Sequence, residues 1–133
     1  MKRAMAPRPG SAPHLEQMAR AYMSVIYNGA VATFPEELEQ CTGFDWDDGN
    51  LDKNWLLHQV ATAEAEETFF NRPFIVAPDA KHSRHEQRFA ALGVTARGRR
   101  LTLIFTVRGT LVRVISVRDM SRQKRRIHER ATQ

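Results

Sequence analysis

The chain has 133 residues, with 20 Lys and Arg against 15 Asp and Glu for a net charge of +5. That length suits one domain with a modest core and leaves no room for a second, and the single cysteine, Cys41, excludes an intrachain disulfide and a thiolate metal cluster. No apolar run approaches the roughly 20 residues that span a bilayer and none suited to export follows the basic start, so the expected compartment is the reducing cytoplasm.

Residues 1 to 13 are rich in Pro, Ala, Gly and Arg, a composition that cannot bury enough surface to offset its ordering entropy, and disorder is expected there. From 14 to 27, Leu15, Met18, Ala19, Tyr22, Met23 and Ile26 form the apolar stripe of an amphipathic helix. A later translation start at Met5, Met18 or Met23 is the alternative reading of this stretch. Residues 1 to 43 are therefore read as an extension, and 44 to 133 as the domain proper. The extension carries four basic and four acidic residues, so the whole positive surplus falls in the domain.

Phe44 and Trp46 alternate with Asp45 and Asp47 as an edge strand would, and Asp48-Gly49 supplies a turn and a helix cap. Leu51, Asn54, Trp55 and His58 share one face of the next helix, with Lys53 outside it. Thr62 caps a second short helix whose Glu64, Glu66 and Glu67 complement the positive end of the helix dipole, and Pro73 ends it. Phe74 to Ala77, Gln87 to Ala96, Leu101 to Val107 and Leu111 to Arg118 read as strands, the last three joined by turns at Arg97-Gly98-Arg99 and Arg108-Gly109. Ser121 caps a final helix, and between Arg118 and Arg130 six basic residues stand against Asp119 and Glu129, a local +4. A field of that sign gathers polyanions without choosing among them, and the plainer reading is a solvated helix face. The elements make an α+β fold: an antiparallel β-meander packed by two helices on its N-terminal side and a short basic C-terminal helix.

Two segments carry a resemblance. In the first, FDWDDGNLDKNWLLHQVATAEAEETFFNR, the matching residues are Phe44, Trp46, Asp47, Gly49, Asn50, Lys53, Asn54, Trp55, His58, Val60, Glu64, Glu66, Glu67 and Phe69. In the second, RVISVRDMSRQKRRIHE, they are Arg113, Ile115, Ser116, Arg118, Met120, Ser121, Arg122, Arg125 and Arg126. Between them, Asn71-Arg72-Pro73, Lys81-His82, Glu86, Arg88 and Gly93 are of the same types. The chain thus resembles the BrnT family, the toxin half of a bacterial type II toxin–antitoxin system. The resemblance implies a RelE-like fold and an endoribonuclease that stops translation, needing no cofactor. It also implies a BrnA-like ribbon-helix-helix antitoxin as partner in a hetero-oligomer of two toxins and two antitoxins, with operator DNA reached only through the antitoxin. Three positions depart from the family pattern: Leu57 stands where a lysine is usual, Lys124 where a glutamate is, and His128 where a tyrosine is.

Cutting RNA without a metal needs a base for the ribose 2′-hydroxyl, cations for the phosphorane, and an acid for the leaving 5′-oxygen. Arg88 and Arg113 lie on outer strands of the meander, where a guanidinium could fork onto phosphate; each could equally be half of a structural ion pair, with Glu86 an obvious mate for Arg88. Glu86 and His58 are the candidate bases, although a histidine beside Trp55 on an apolar face is also a natural buried residue. Arg118, Arg122 and Arg125 would extend the cationic surface along an RNA backbone. His82 and His85 beside Asp79 have metal-like spacing but no third strong ligand nearby, so no metal site is assigned. A second hypothesis is a catalytically weak module that binds the antitoxin and acts in operator autoregulation. A third, an unrelated nucleic-acid binder, needs aromatics among the basic residues of an exposed sheet, whereas Phe69, Phe70, Phe74, Phe89 and Phe105 sit in apolar company.

Overall fold

A computed structural model describes residues 2 to 5 and 25 to 131. Its frame is a six-stranded sheet in the order β1-β4-β8-β7-β6-β5. The strands are β1 (Lys2–Ala4), β4 (Gly43–Asp45), β5 (Ile75–Pro78), β6 (Arg88–Val94), β7 (Arg100–Arg108) and β8 (Leu111–Asp119). A separate two-stranded hairpin pairs β2 (Ile26–Tyr27) with β3 (Ala30–Val31). The helices are α1 (Glu36–Glu39), α2 (Asp48–His58), α3 (Thr62–Thr68) and α4 (Arg122–Arg130). The architecture is α+β with a mainly antiparallel sheet, as expected; one pairing, β4 with β8, is parallel.

Alternation builds the meander. Phe89 and Ala91, Leu101, Leu103 and Phe105, and Val112, Val114 and Val117 are all buried on one face of β6, β7 and β8. Helix α3 lies on that face, where Phe69 meets Phe105 edge-on with ring centroids 5.2 Å apart and Phe74 at 4.8 Å. The approach is close enough to dictate Gly93: a Cβ there would come within 2.7 Å of the Thr68 Cβ. Helix α4 lies over the opposite face, where Arg100 pairs with Glu129 at 2.8 Å. Ser121 caps it as expected, its side chain accepting the Lys124 N–H at 3.3 Å. The cap of α3 differs: the N-cap is Ala61, one residue before Thr62, and the Glu64 carboxylate folds back to accept the Ala61 N–H at 3.0 Å. A carboxylate inside the first turn can satisfy an orphan donor that a hydroxyl at the cap would leave free.

Helix α2 docks differently from the expected apolar stripe. Strand β4 pairs with β8 only through Gly43↔Leu111 and Phe44↔Val112, leaving the later edge of β8 open. Polar groups of α2 close that edge. Lys53 Nζ donates to the Ile115 carbonyl at 2.8 Å, and the Asn54 Oδ1 accepts the Val117 N–H at 3.2 Å. Asn54 is therefore buried and Lys53 turned inward, while Trp55, Leu56 and Leu57 stay exposed at 54%, 72% and 64%. Satisfying sheet-edge amides outweighs burying a tryptophan here. Gln59 ends the helix at φ 52°, its N–H bonded to the Trp55 carbonyl at 2.8 Å, a left-handed helix stop.

The N-terminal stretch departs most from expectation. Lys2–Ala4, placed in a disordered segment by composition, form β1 antiparallel to β4, and Met5 packs against the core. The helix expected over 14 to 27 falls outside the described residues except at its end, and there Ile26–Tyr27 is a strand. Asn28 and Gly29 turn it at φ 57° and 78°, the two positive angles of a tight hairpin turn. Val25, Tyr27, Ala32, Phe34 and Leu38 are buried with the main core, and the Thr33 N–H continues the outer edge of β5 by bonding the Val76 carbonyl at 2.9 Å.

The Gly93 contact gives a stability test. Gly93→Ala drives a methyl into Thr68 and Phe74 and should lower the free energy of unfolding in urea by about 1–3 kcal/mol. An unchanged urea midpoint would show that α3 can move away freely.

Candidate functional site

Strand register assembles the site. Arg88 pairs with Thr106 and Thr106 with Arg113, so the three side chains form one row across β6, β7 and β8. Phe89, Phe105, Val112 and Val114 point to the core, and alternation sends this row to the other face. Arg108, two residues beyond Thr106, shares the face. Beside the row, the loop before β6 folds up and closes on itself: the Asp79 N–H bonds the Arg88 carbonyl at 2.9 Å, and the Ser83 hydroxyl accepts the Arg88 N–H at 2.9 Å. Loop and strands enclose an open cleft of about 660 Å³ lined by Lys81, His82, Arg84, His85, Glu86, Arg88 and Arg108. Four cations and two imidazoles there face one carboxylate.

That carboxylate is engaged. Arg108 forks onto Glu86 through Nε at 3.1 Å and Nη2 at 3.2 Å, whereas Arg88 Nη2 stands 4.0 Å away. The Arg108 hydrogen bonds, helped by the charges of Arg108, Arg88 and Arg113, hold the Glu86 carboxyl below its ordinary value. Glu86 lies in the loop rather than on the strand, because β6 begins at Arg88, and its nearest mate is Arg108 rather than Arg88. Arg113 is braced from the other side: Nη2 bonds Asp47 Oδ2, and Nη1 lies 3.7 Å from Asp45 Oδ2.

His58 stands apart from this constellation. Asn54 pins α2 at Val117, so the helix carries His58 toward the far end of β8, where its carbonyl accepts Arg99 Nη2 at 3.1 Å. Arg99 there also binds Asp119 at 2.8 Å and Glu64 at 3.2 Å, and its hydrogen bonds lower the Asp119 carboxyl, with His58 the smallest of the causes. Arg113 and Asp119 are six residues apart, roughly 20 Å along an extended strand. The sequence reading grouped His58 with Glu86, Arg88 and Arg113, and the fold separates it from them.

Arg118 occupies the same sheet face as the Arg88 row, opposite Thr102, and is exposed, as are Arg122 and Arg125. Arg125 lines a smaller cleft of about 290 Å³ with Gly98, Arg100, Asp119 and Met120. Lys124 is half-buried: burial, then the charge of Arg118, lowers its pKa, and the charge of Asp79 opposes the shift. Lys81, Arg84 and Arg108 escaped the sequence reading. Arg108 could have been found by counting alternation on from Thr106, but Lys81 lies in the single 3-10 turn Ala80–His82 and Arg84 in the bend after it, both too short to show a periodicity. Among the described residues no group of three His, Cys, Asp or Glu is placed to hold a metal ion.

Residues 46–124, more than half of the chain and every residue lining the larger cleft, match the family model of the BrnT ribonuclease toxin of type II toxin–antitoxin systems. The chain belongs to the BrnT family. No curated protein matches it. A BrnT protein is a ribonuclease toxin with an antitoxin partner, and the cleft lies on the part of the chain that defines the family. No helix among the described residues is long and apolar enough to cross a membrane.

The engaged state of Glu86 predicts a pH effect. Its folded pKa lies below the ordinary 4.5, so its contribution to stability is fully present above that value and is lost as pH falls through the lowered one. Glu86→Gln should therefore flatten the decline of the urea midpoint as pH falls below the ordinary 4.5. An identical acid limb in both proteins would mean that the Arg108 fork is absent in solution.

Proposed function

We propose that this BrnT protein is a metal-independent endoribonuclease that cuts RNA in the larger cleft and stops translation. One observation carries the reading: three strand-borne guanidiniums, Arg88, Arg108 and Arg113, converge on one sheet face beside a cleft whose cations outnumber its carboxylates. Guanidiniums on sheet positions are held rigidly and can fork onto a scissile phosphate, which is where charge builds as the phosphorane forms. Lys81 and Arg84 on the loop, and Arg118, Arg122 and Arg125 beyond it, would hold flanking phosphates and fix the register of the strand without reading its sequence. Glu86, kept ionised by Arg108, would serve to orient that guanidinium.

The mainly antiparallel sheet with helices on both faces supports a RelE-like arrangement, and the family relation supports a BrnA-like ribbon-helix-helix antitoxin as the silencing partner, with operator DNA contacted through it. The exposure of Trp55, Leu56 and Leu57 favours an interface role for α2 and so lends weight to antitoxin binding as a second activity of the chain. Leu57 stands beside His58, away from the cleft, so a lysine missing there leaves the charge of the cleft unchanged.

Induced expression of the full chain should arrest growth and generate new RNA 5′-ends. Co-expression of the antitoxin, or the pair Arg88→Ala and Arg113→Ala, should restore growth, and the double variant should still bind the antitoxin. In vitro, excess chelator should leave the rate of cleavage unchanged. Normal growth with no new ends would reduce the chain to an antitoxin-binding module. RNA affinity should also fall with salt, the logarithmic slope being about 0.7 per phosphate contacted on a single strand, and Arg88→Ala should lower the slope by about one contact. A slope unaffected by Arg88→Ala would place the RNA elsewhere.

A further inference from the structure

Neither group first considered as a base is well placed to act as one. Glu86 is committed to Arg108 and held as a carboxylate, and His58 lies at the other end of β8. One imidazole in the cleft is instead fixed by a second side chain. His82 Nδ1 lies 2.8 Å from Asp79 Oδ2; the Asp79 side chain is 6% exposed and that of His82 55%. The aspartate is itself anchored at the sheet. Its N–H bonds the Arg88 carbonyl, its own carbonyl accepts the Ser83 hydroxyl at 2.6 Å, and the preceding Pro78 carbonyl accepts Asn28 Nδ2 at 3.0 Å.

We propose that His82, oriented by Asp79, is the general base of the cleft, acting on the ribose 2′-hydroxyl of single-stranded RNA; this rests on the ribonuclease reading above. With Nδ1–H donated to Asp79, the tautomer is set and Nε2 keeps its lone pair for the solvent side, where the cleft lies. Nε2 takes the 2′-hydroxyl proton and O2′ bonds to phosphorus. The P–O5′ bond then breaks, leaving a 2′,3′-cyclic phosphate, and O5′ takes a proton from water. The imidazolium left behind is stabilised by the Asp79 carboxylate and later returns its proton to solvent. The reaction thus needs no species beyond RNA and water. Asp79 is a positioning residue, since it reaches the substrate only through the ring.

Charged groups surround the pair on several elements. Lys81, Arg84, His85 and Glu86 share its loop, Arg88 and Arg108 stand on β6 and β7, Tyr27 of β2 and Lys124 of α4 feel the charge of Asp79, and both also feel that of Arg118 on β8. The second imidazole, His85, is the control.

The test is cleavage of a fluorophore-labelled mixed-sequence oligoribonucleotide by the purified full chain, with kcat and KM followed against pH. His82→Asn should lower kcat by about 100-fold or more with little change in KM, and should remove the acidic limb of the pH profile. Free imidazole should restore activity to His82→Ala. Asp79→Asn should lower kcat by a smaller factor and shift the same limb. Because His82 is largely exposed, its variants should keep the wild-type melting temperature, so the decision does not depend on the buried aspartate. Wild-type kcat and an intact acidic limb in His82→Asn, or loss of that limb in His85→Asn instead, would overturn the assignment. If Arg88→Ala with Arg113→Ala abolishes cleavage while His82→Asn does not, the base is misassigned and the ribonuclease cleft stands. If the wild-type chain leaves the RNA intact at every pH, both readings fall.

Discussion

The register of β6, β7 and β8 is the constraint on which the rest of the molecule depends. Phe89 stacks on Phe105 with centroids 5.3 Å apart, Phe105 meets Phe69 on α3, and Leu101, Leu103, Val112 and Val114 fill the same layer. A slip of one residue would move that whole set to the opposite face, away from α3, and each large apolar side chain contributes about 1.5–3 kcal/mol by being buried. No rearrangement of surface charge can compete with a loss of that size. The placement of Arg88, Thr106 and Arg113 in one outward row is therefore decided by the aromatic layer behind them. A charged row is held to a fixed geometry by groups that never touch its ligand.

Carboxylates complete what the register begins. Arg113 is braced by Asp47 and Asp45 from the β4 side, and Arg108 by Glu86 from the loop. These pairs are partly exposed, so their net effect on folding is small. Their effect on the site is larger. A forked guanidinium loses rotamer freedom before any anion arrives, which lowers the entropic cost of capture, but its carboxylate also competes with the anion. Arg88, 4.0 Å from Glu86, pairs more loosely and is the readiest of the three to take a phosphate. The sheet face thus combines two prepaired guanidiniums with one held more loosely.

Much of this was legible in the residues. Alternation identified the four longer strands of the domain to within two residues at either end, and Ser121 marked the start of α4. Arg88 and Arg113 were visible because each interrupts an apolar alternation. What could not be read was anything set by tertiary closure. The edge of β8 has no sequence signature, so Lys53 and Asn54 gave no hint that they would serve sheet amides while Trp55 remained outside. The parallel contact of β4 with β8 joins segments far apart in the chain, and no local pattern encodes it. By contrast, Asn28-Gly29 is a strong hairpin signal that the helical spacing of Tyr22, Met23 and Ile26 obscured. Both periodicities pass through Ile26, and the turn prevailed because two adjacent positive φ angles cannot be accommodated in a helix.

That hairpin changes how the cleft is held. It precedes the family match, yet Tyr27 is buried near Asp79, burial together with the Asp79 charge pushes its phenol up to about 12, and Asn28 is bonded to Pro78 at the entrance of the loop. The charge of the same aspartate also raises the pKa of Lys124 on α4, against the larger lowering by burial. The loop that carries Lys81, His82 and Arg84 is thus gripped at its root while its tip stays exposed. Within it a 3-10 turn over Ala80–His82 and the Ser83 bonds to Asp79 and Arg88 add to the hold at the root. Bonding Asp79 to β6 and Pro78 to the hairpin lets a short segment present its side chains to the strand arginines with the constancy of a regular element. The residues ahead of the family segment therefore contribute to the cleft by restraint, and they do so while supplying none of the side chains that line it.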